Sequence, residues 1–275
     1  MINSSWEGAE TDSKNFSITS EMINRWIKCV QDKHPIYTDI QTSLKYGYND
    51  VVAPPTFPMS FWHSFFLPWM KREDTVIHQK QTFIYYSPLT AGMNIKAWIT
   101  LNEINTIQLS SGLFQRVRQT LSGAENKELV FEAVIITLIP LKHKIPETSR
   151  KPKNIENIKT NADFDTSFSL ECLQHYAECS GDIQPIHLDE RIARQKGFSR
   201  QIVHGMLIMG LAARLFHAKM NQGYIMRSFD MQFMSPLLRN ENIFFLSKNQ
   251  SPNSSMLKVQ GFNERGTLIF TGTIQ

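Results

Sequence analysis

Three residues in the second half of the chain have the types and spacing for acid–base chemistry. Asp182 and His187 stand five residues apart in Tyr176-Ala-Glu-Cys-Ser-Gly-Asp182-Ile-Gln-Pro-Ile-His187-Leu-Asp189. The glycine and proline predict a loop there, and the spacing lets a carboxylate and an imidazole converge on one small volume. Downstream, Ile202-Val203-His204-Gly205-Met-Leu207 opens a long apolar run. A helix starting at Gly205 presents backbone N–H groups without intrahelical partners at the positive end of its dipole, and glycine has no side chain to hold an anion away. Acid, base and anion donor together suit a reaction that moves a proton beside a carbonyl group. Taken singly, an Asp in a Ser-Gly-Asp turn is ordinarily a turn residue, and a His near Pro is ordinarily a surface or satisfied core group. The ordered series is what points to catalysis. His175, His204 and His217 have no recognisable ligand spacing with His187, so zinc is not expected.

The elements that must position these residues come in two copies. Asp32-Lys-His-Pro-Ile-Tyr-Thr-Asp39 lies over Asp182–Asp189 at an offset of 150 residues, with Asp, Pro, Ile and Asp coinciding. The offset continues to Gly47-Tyr48 over Gly197-Phe198 and to Val52 over Ile202, and Ser87-Pro88-Leu89 matches Ser235-Pro236-Leu237. Such self-similarity decides the architecture before any element is assigned. Each copy continues into an apolar segment of helical length, 57–70 and 205–220. The second is apolar nearly all round and so should be buried; the first is interrupted by Pro54, Pro55, Pro58 and Pro68. Four strand-like runs follow in each copy: 81–86, 94–103, 113–120 and 128–138, then 226–234, 242–248, 256–262 and 267–274. The expected fold class is α+β, two tandem repeats, each a long buried helix wrapped by an antiparallel sheet. Joining the sheets edge to edge protects their open edges and places a cleft between the copies. Lys142 to Asn161, rich in Lys, Pro, Asn and Thr, reads as a linker, giving an N-terminal unit over 1–140, a linker over 141–162 and a C-terminal unit over 163–275.

Composition is that of a globular chain: 275 residues, 41% hydrophobic and 20% charged, with 18 Phe and 5 Trp. Cys29, Cys172 and Cys179 cannot all pair and lack zinc-site spacings, which predicts no disulfide framework and a reducing, cytoplasmic setting. No basic region precedes an early apolar run and no segment has the length of a membrane span, so neither an export signal nor a span is expected. A net charge of +4 is too small at this length to suggest nucleic acid.

The catalytic loop and the following Gly197-Phe198 and Ile202-Val-His204-Gly205-Met-Leu207 resemble the signature of the MaoC-like, hydratase-2 family of hotdog-fold enzymes. That motif runs aromatic, Ser-Gly-Asp, Asn-Pro, apolar, His, any residue, Asp; Gln184 stands here in place of Asn. The resemblance implies a double hotdog that interconverts trans-2-enoyl and (3R)-3-hydroxyacyl thioesters of coenzyme A or acyl carrier protein, with no cofactor. It places Asp182 and His187 at the water and the α-carbon proton and Gly205 N–H on the thioester oxygen, with Gln184, Arg200, Ile202, Val203 and His204 against substrate. Where some members carry a helix serine, Ala212 and Ala213 stand here. Ala53-Pro-Pro-Thr-Phe57 and Gln81-Thr-Phe83 with Pro88-Leu89-Thr-Ala-Gly92 resemble the non-catalytic N-terminal hotdog of fused dehydratases. Tyr37 replaces His187 there and Pro55 replaces Gly205; a phenol is a poor base near neutrality and proline has no N–H, so this copy should be inert. The aromatics Phe57, Phe61, Trp62, Phe65, Phe66 and Trp69 read as core or as a wall for an acyl tail. Arg191, Arg194, Lys196 and Arg200 could meet phosphates or form a solvated face. A hotdog thioesterase and a non-catalytic acyl-thioester-binding protein are the alternatives; either a monomer or a homodimer fits two joined hotdogs.

Overall fold

The computed structural model describes residues 1–70, 76–141, 152–251 and 254–275. The first copy runs β1 (Lys14–Ser17), α1 (Ser20–Val30), a 3-10 turn at Pro35–Tyr37, α2 (Ile40–Lys45), a 3-10 helix at Phe57–Ser64, then β2 (Ile77–Tyr85), β3 (Asn94–Leu109), β4 (Gly112–Glu125) and β5 (Glu128–Pro140). After α3 (Ile155–Asn161) the second copy repeats the order: β6 (Phe164–Thr166), α4 (Leu170–Ser180), α5 (Pro185–Leu188), α6 (Glu190–Gln195), α7 (Gly205–Ala212), a 3-10 segment at Ala213–Phe216, α8 (His217–Met220), β7 (Ser228–Phe233), β8 (Ile243–Asn249), β9 (Leu257–Asn263) and β10 (Leu268–Ile274).

All ten strands form one antiparallel sheet in the order β1-β3-β4-β5-β2-β7-β10-β9-β8-β6. Because β6 to β10 are the counterparts of β1 to β5, this order reads the same from either end about the β2–β7 seam. The two sheets therefore join edge to edge, and each covers the other's open strand. Lys80 and Asp230 pair across the seam at 2.7 Å, where Thr82 Oγ1 also donates to Asp230. One apolar core runs through both copies.

The paired helices α1 and α4 were not anticipated from sequence, although each carries its signals. Thr19 and Ser169 cap the N-termini through their hydroxyls, satisfying amides that no helix carbonyl can reach. Ile23, Trp26, Ile27 and Val30 are buried on α1, and Leu173, Tyr176, Ala177 and Ser180 on α4, both at the one-face spacing of an amphipathic helix. The short edge strands β1 and β6 were also missed. The second aspartates of the repeat, Asp39 and Asp189, prove to be the N-caps of α2 and α6.

The expected long helices are shorter. The first copy has only the 3-10 helix Phe57–Ser64; Pro58 and Pro68 disfavour the α conformation at Phe57 and Leu67, the residues before them, which leaves little length for a regular helix. The second expected span divides into α7, a 3-10 segment and α8. Helix α7 approaches α1 so closely that a Cβ on Gly210 would lie 2.5 Å from Val30 Cγ1. Of the proposed linker, 142–151 lie outside the described residues and 155–161 form α3, which buries Ile158 against Phe244 and Phe262. The expectation of no disulfide is overturned: Cys29 and Cys179 are bonded to each other. They occupy the same position in α1 and α4, which local sequence spacing could not bring together. No described helix is long and apolar enough to cross a membrane.

Candidate active site

The site grows out of the C-terminal end of α4. Gly181 ends that helix in the left-handed conformation, φ +78°, which glycine enters without a Cβ penalty. Ser180 Oγ accepts the Asp182 N–H at 3.2 Å, turning the chain so that Asp182 follows at once. Proline at the first position of α5 then starts a single helical turn, with the His187 N–H bonded to the Gln184 carbonyl at 3.0 Å. His187 is therefore placed by local geometry that Ser-Gly-Asp and Gln-Pro encode.

His187 Nδ1 lies 2.8 Å from the Ile202 carbonyl. A carbonyl only accepts, so Nδ1 carries the proton and Nε2 is left to exchange one. His204 stacks on His187 with ring centres 3.9 Å apart. Its Nε2 donates to the Asp182 carbonyl at 3.1 Å, while its buried Nδ1 has no partner among the described residues. His204 thus ties the start of α7 to the Asp182 loop. Burial lowers the His187 pKa against the opposing pull of Asp182, and burial together with His187 drives His204 down to about 3. Burial alone would raise Asp182, but His187, His204 and His63 more than offset it and hold the carboxyl below its usual value. Near neutral pH the pair rests as a carboxylate and a neutral imidazole.

Gly205 is the first residue of α7, where its N–H has no intrahelical partner. A Cβ there would lie 3.1 Å from the Phe233 ring, so glycine also keeps that ring in place. Val203 is buried and its N–H bonds the Leu237 carbonyl. Ile202 serves through its carbonyl and through a bridge to Leu238. Gln184 is exposed and makes no capping bond with its side chain. Arg200 donates to the Arg239 carbonyl at 3.0 Å, Arg191 pairs with Asp189 and Arg194 with Glu190, so these three are engaged within the fold. Of the aromatic cluster, Phe57, Phe61, Phe65 and Trp69 are core, whereas Phe66 is 77% exposed.

Two residues of the first copy join this site, and sequence reasoning missed both. His63, in the 3-10 helix, has its Cβ 2.9 Å from where a Gly181 Cβ would stand, and it feels the Asp182 charge. His78, on β2, also feels that charge, and its ring meets the Phe233 ring at 5.0 Å between centres. Nothing near either residue in sequence signals this; only the pairing of the two copies brings them there. Proximity also changes the metal argument. Asp182, His187 and His204 offer ligand atoms within 4.8 Å of one another, a grouping that the sequence spacing did not reveal.

The matching place in the first copy keeps an acid but not the arrangement. Asp32 is buried and pairs with His217 of α8 at 3.0 Å. Tyr37, where the second copy has His187, is buried with its hydroxyl on Met220 Sδ at 3.7 Å, and burial followed by Asp32 pushes its pKa well up. The Pro55 carbonyl accepts from the Tyr85 hydroxyl.

A carboxylate–imidazole loop tied to the start of a buried helix, within paired helix-and-sheet repeats, defines a double hotdog protein in which one of the two copies carries both an aspartate and a histidine in that loop. Residues 147–260 match the MaoC like domain, and residues 5–132 match the FAS1-like, dehydratase domain region, so each copy carries its own match to a dehydratase-type region. The chain is 37% identical over 79 residues to the mitochondrial 3-hydroxyacyl-[acyl-carrier-protein] dehydratase of Arabidopsis thaliana, an alignment covering 29% of this chain and 47% of that protein. The chain thus spans about half the length of that relative. Among solved structures, a MaoC-like dehydratase superposes with TM-score 0.80 at 22% identity over 98% of this chain and 97% of the other. A Mycobacterium tuberculosis protein described as a double hotdog superposes with TM-score 0.65 at 10% identity over 98% and 96%. At these identities the two structures speak for the fold alone.

Proposed function

We propose that the chain is a hydro-lyase that interconverts a trans-2-enoyl thioester of coenzyme A or acyl carrier protein and its (3R)-3-hydroxyacyl partner. The observation that carries this reading is the Asp182–His187 pair, with the His187 tautomer fixed by the Ile202 carbonyl, beside the N-terminus of α7. In the hydration direction the pair takes a proton from water as its oxygen bonds to the β-carbon. Negative charge passes to the thioester oxygen, where the Gly205 N–H and the α7 dipole hold it. The pair then returns one proton to the α-carbon, so one water is consumed and the pair ends as it began. Both groups act from one side of the double bond, which makes the addition syn. In this reading the first copy packs against the catalytic half and performs no chemistry at Asp32, since Pro55 offers no N–H.

The test is crotonyl-CoA with purified protein, following loss of the enoyl absorbance and resolving the product by chiral chromatography. An (R)-hydroxy product is expected, with Asp182→Asn reducing kcat by about 10²- to 10⁴-fold. A variant that keeps the full rate, or release of free thiol instead of hydration, would overturn the assignment.

A further inference from the structure

On the face of the sheet turned toward the site, the first copy holds a group of polar side chains that its own fold leaves unsatisfied. By strict hydrogen-bond geometry His78 Nε2, Gln81 Oε1 and Thr137 Oγ1 are buried atoms without a partner among the described residues, although, against the larger effect of burial, the Gln81 side chain lies near enough to the His78 ring to raise its pKa. Register puts the three on one patch. Strand β5 turns Ala133, Ile135 and Thr137 inward, opposite Phe83, Gln81 and His78 of β2. A regular strand would have turned residue 79 inward instead, since side chains alternate. The register shifts between His78 and Lys80, and the extra residue, Gln79, lines an outer hollow together with Lys80, Ile107, Arg116 and Gln232. The bulge sends Gln79 and Lys80 to the same side and re-aims His78 inward, as bulges beside functional sites do.

Buried polar atoms without partners are rare and call for an explanation. The surroundings of His78 supply one. Its ring abuts Phe233 and therefore borders the residue that packs on Gly205, and it lies within electrostatic range of Asp182. Burial pushes its pKa down to about 4, so at neutral pH it brings a hydrogen-bonding group without a competing charge.

We propose that His78, from the copy without an intact acid–base loop, is a substrate-contacting residue of the second copy's site, meeting the polar head of the acyl thioester from the sheet side with Gln81 and Thr137 beside it. This rests on the reading of the site as an acyl-thioester site, and it makes the first copy a part of the reaction chamber. The bulge follows from the same need: without Gln79 the chamber would receive a different side chain.

The test compares wild type with His78→Phe, which keeps a ring and removes the nitrogens, His78→Asn, which restores a hydrogen-bonding group, and Gln79→Ala on the outer face. For crotonyl-CoA hydration, His78→Phe is expected to lower kcat/KM at least tenfold, His78→Asn to recover part of it, and Gln79→Ala to remain within twofold of wild type. The Tm of His78→Phe should hold or rise, because an unsatisfied buried atom has been replaced by an apolar one; a purely structural histidine would show the reverse. Butanoyl-CoA, which cannot react, separates this inference from the hydratase reading. If wild type binds it without any enoyl turnover, the hydratase reading fails, while an at least fivefold weaker binding by His78→Phe still upholds the contact. Should His78→Phe fail to fold, the ¹⁵N resonances of His78 in labelled wild type are expected to shift on adding butanoyl-CoA. Unchanged kinetics and binding in His78→Phe, unmoved resonances, or no acyl-thioester binding by wild type overturns the proposal.

Discussion

Histidines 63, 78, 187 and 204 all reach the folded state with burial pulling them toward the neutral form. The unfolded chain lets them titrate near 6.5, so below that pH it binds more protons than the folded one. Their stabilising contribution is complete above about 6.5 and is lost as pH falls toward their folded values. For His204, held at about 3, the loss between pH 7.5 and 5 amounts to about 2 kcal/mol. Asp182 acts lower down: with its folded pKa depressed, its contribution is present above the unfolded carboxyl value and disappears as pH drops through the folded one. Urea midpoints should therefore fall from pH 7.5 to 5, and His204→Asn should flatten the decline. A wild-type midpoint that stays level or rises would contradict these protonation states.

The loop that holds Asp182 depends on the end of α4. Gly181 needs the left-handed backbone, and its missing Cβ makes room for His63. Gly181→Ala is expected to lower stability by about 1 kcal/mol for the backbone alone and by more for the collision. His63→Gly in the same background should recover the collision part and leave the backbone part, as thermal unfolding would show. Ser-Gly-Asp could be recognised from sequence because a helix stop, a turn and an acid are adjacent in the chain. The same holds for Gly205 before its apolar helix. The repeat shows the order of the elements from Asp32 onward, whereas α1 and α4 share only Glu21 with Glu171 and Cys29 with Cys179, too little identity to mark them although their caps lie at the same offset. Strands β1 and β6, of four and three residues, are too short to display alternation. Prolines warned of an irregular first helix. His63 and His78 were invisible because their relation to Asp182 is made by the β2–β7 pairing and a one-residue bulge, neither of which leaves a local pattern.

At the scale of the whole molecule, the sheet has only its two shortest strands at its edges, which leaves few free backbone groups to template pairing with other chains. The two copies share a core, a seam and one covalent bond. Cys29 and Cys179 are separated by 150 residues, and closing a loop of that size in the unfolded chain is worth about 5 kcal/mol in the chain-entropy account. Cys29→Ser should therefore lower the urea midpoint under non-reducing conditions, and reducing agent should bring wild type toward the variant. Equal midpoints for variant and oxidised wild type would show that the bond adds nothing.

That bond also makes a ring of the stretch from Cys29 through Cys179. A single backbone cut between His78 and Cys179 opens the ring but leaves one covalent molecule. The half bearing Asp182 and the half bearing His78 would stay tethered at high effective concentration however far the protein is diluted, and the order in which the two repeats are read along the chain would cease to matter to the site between them.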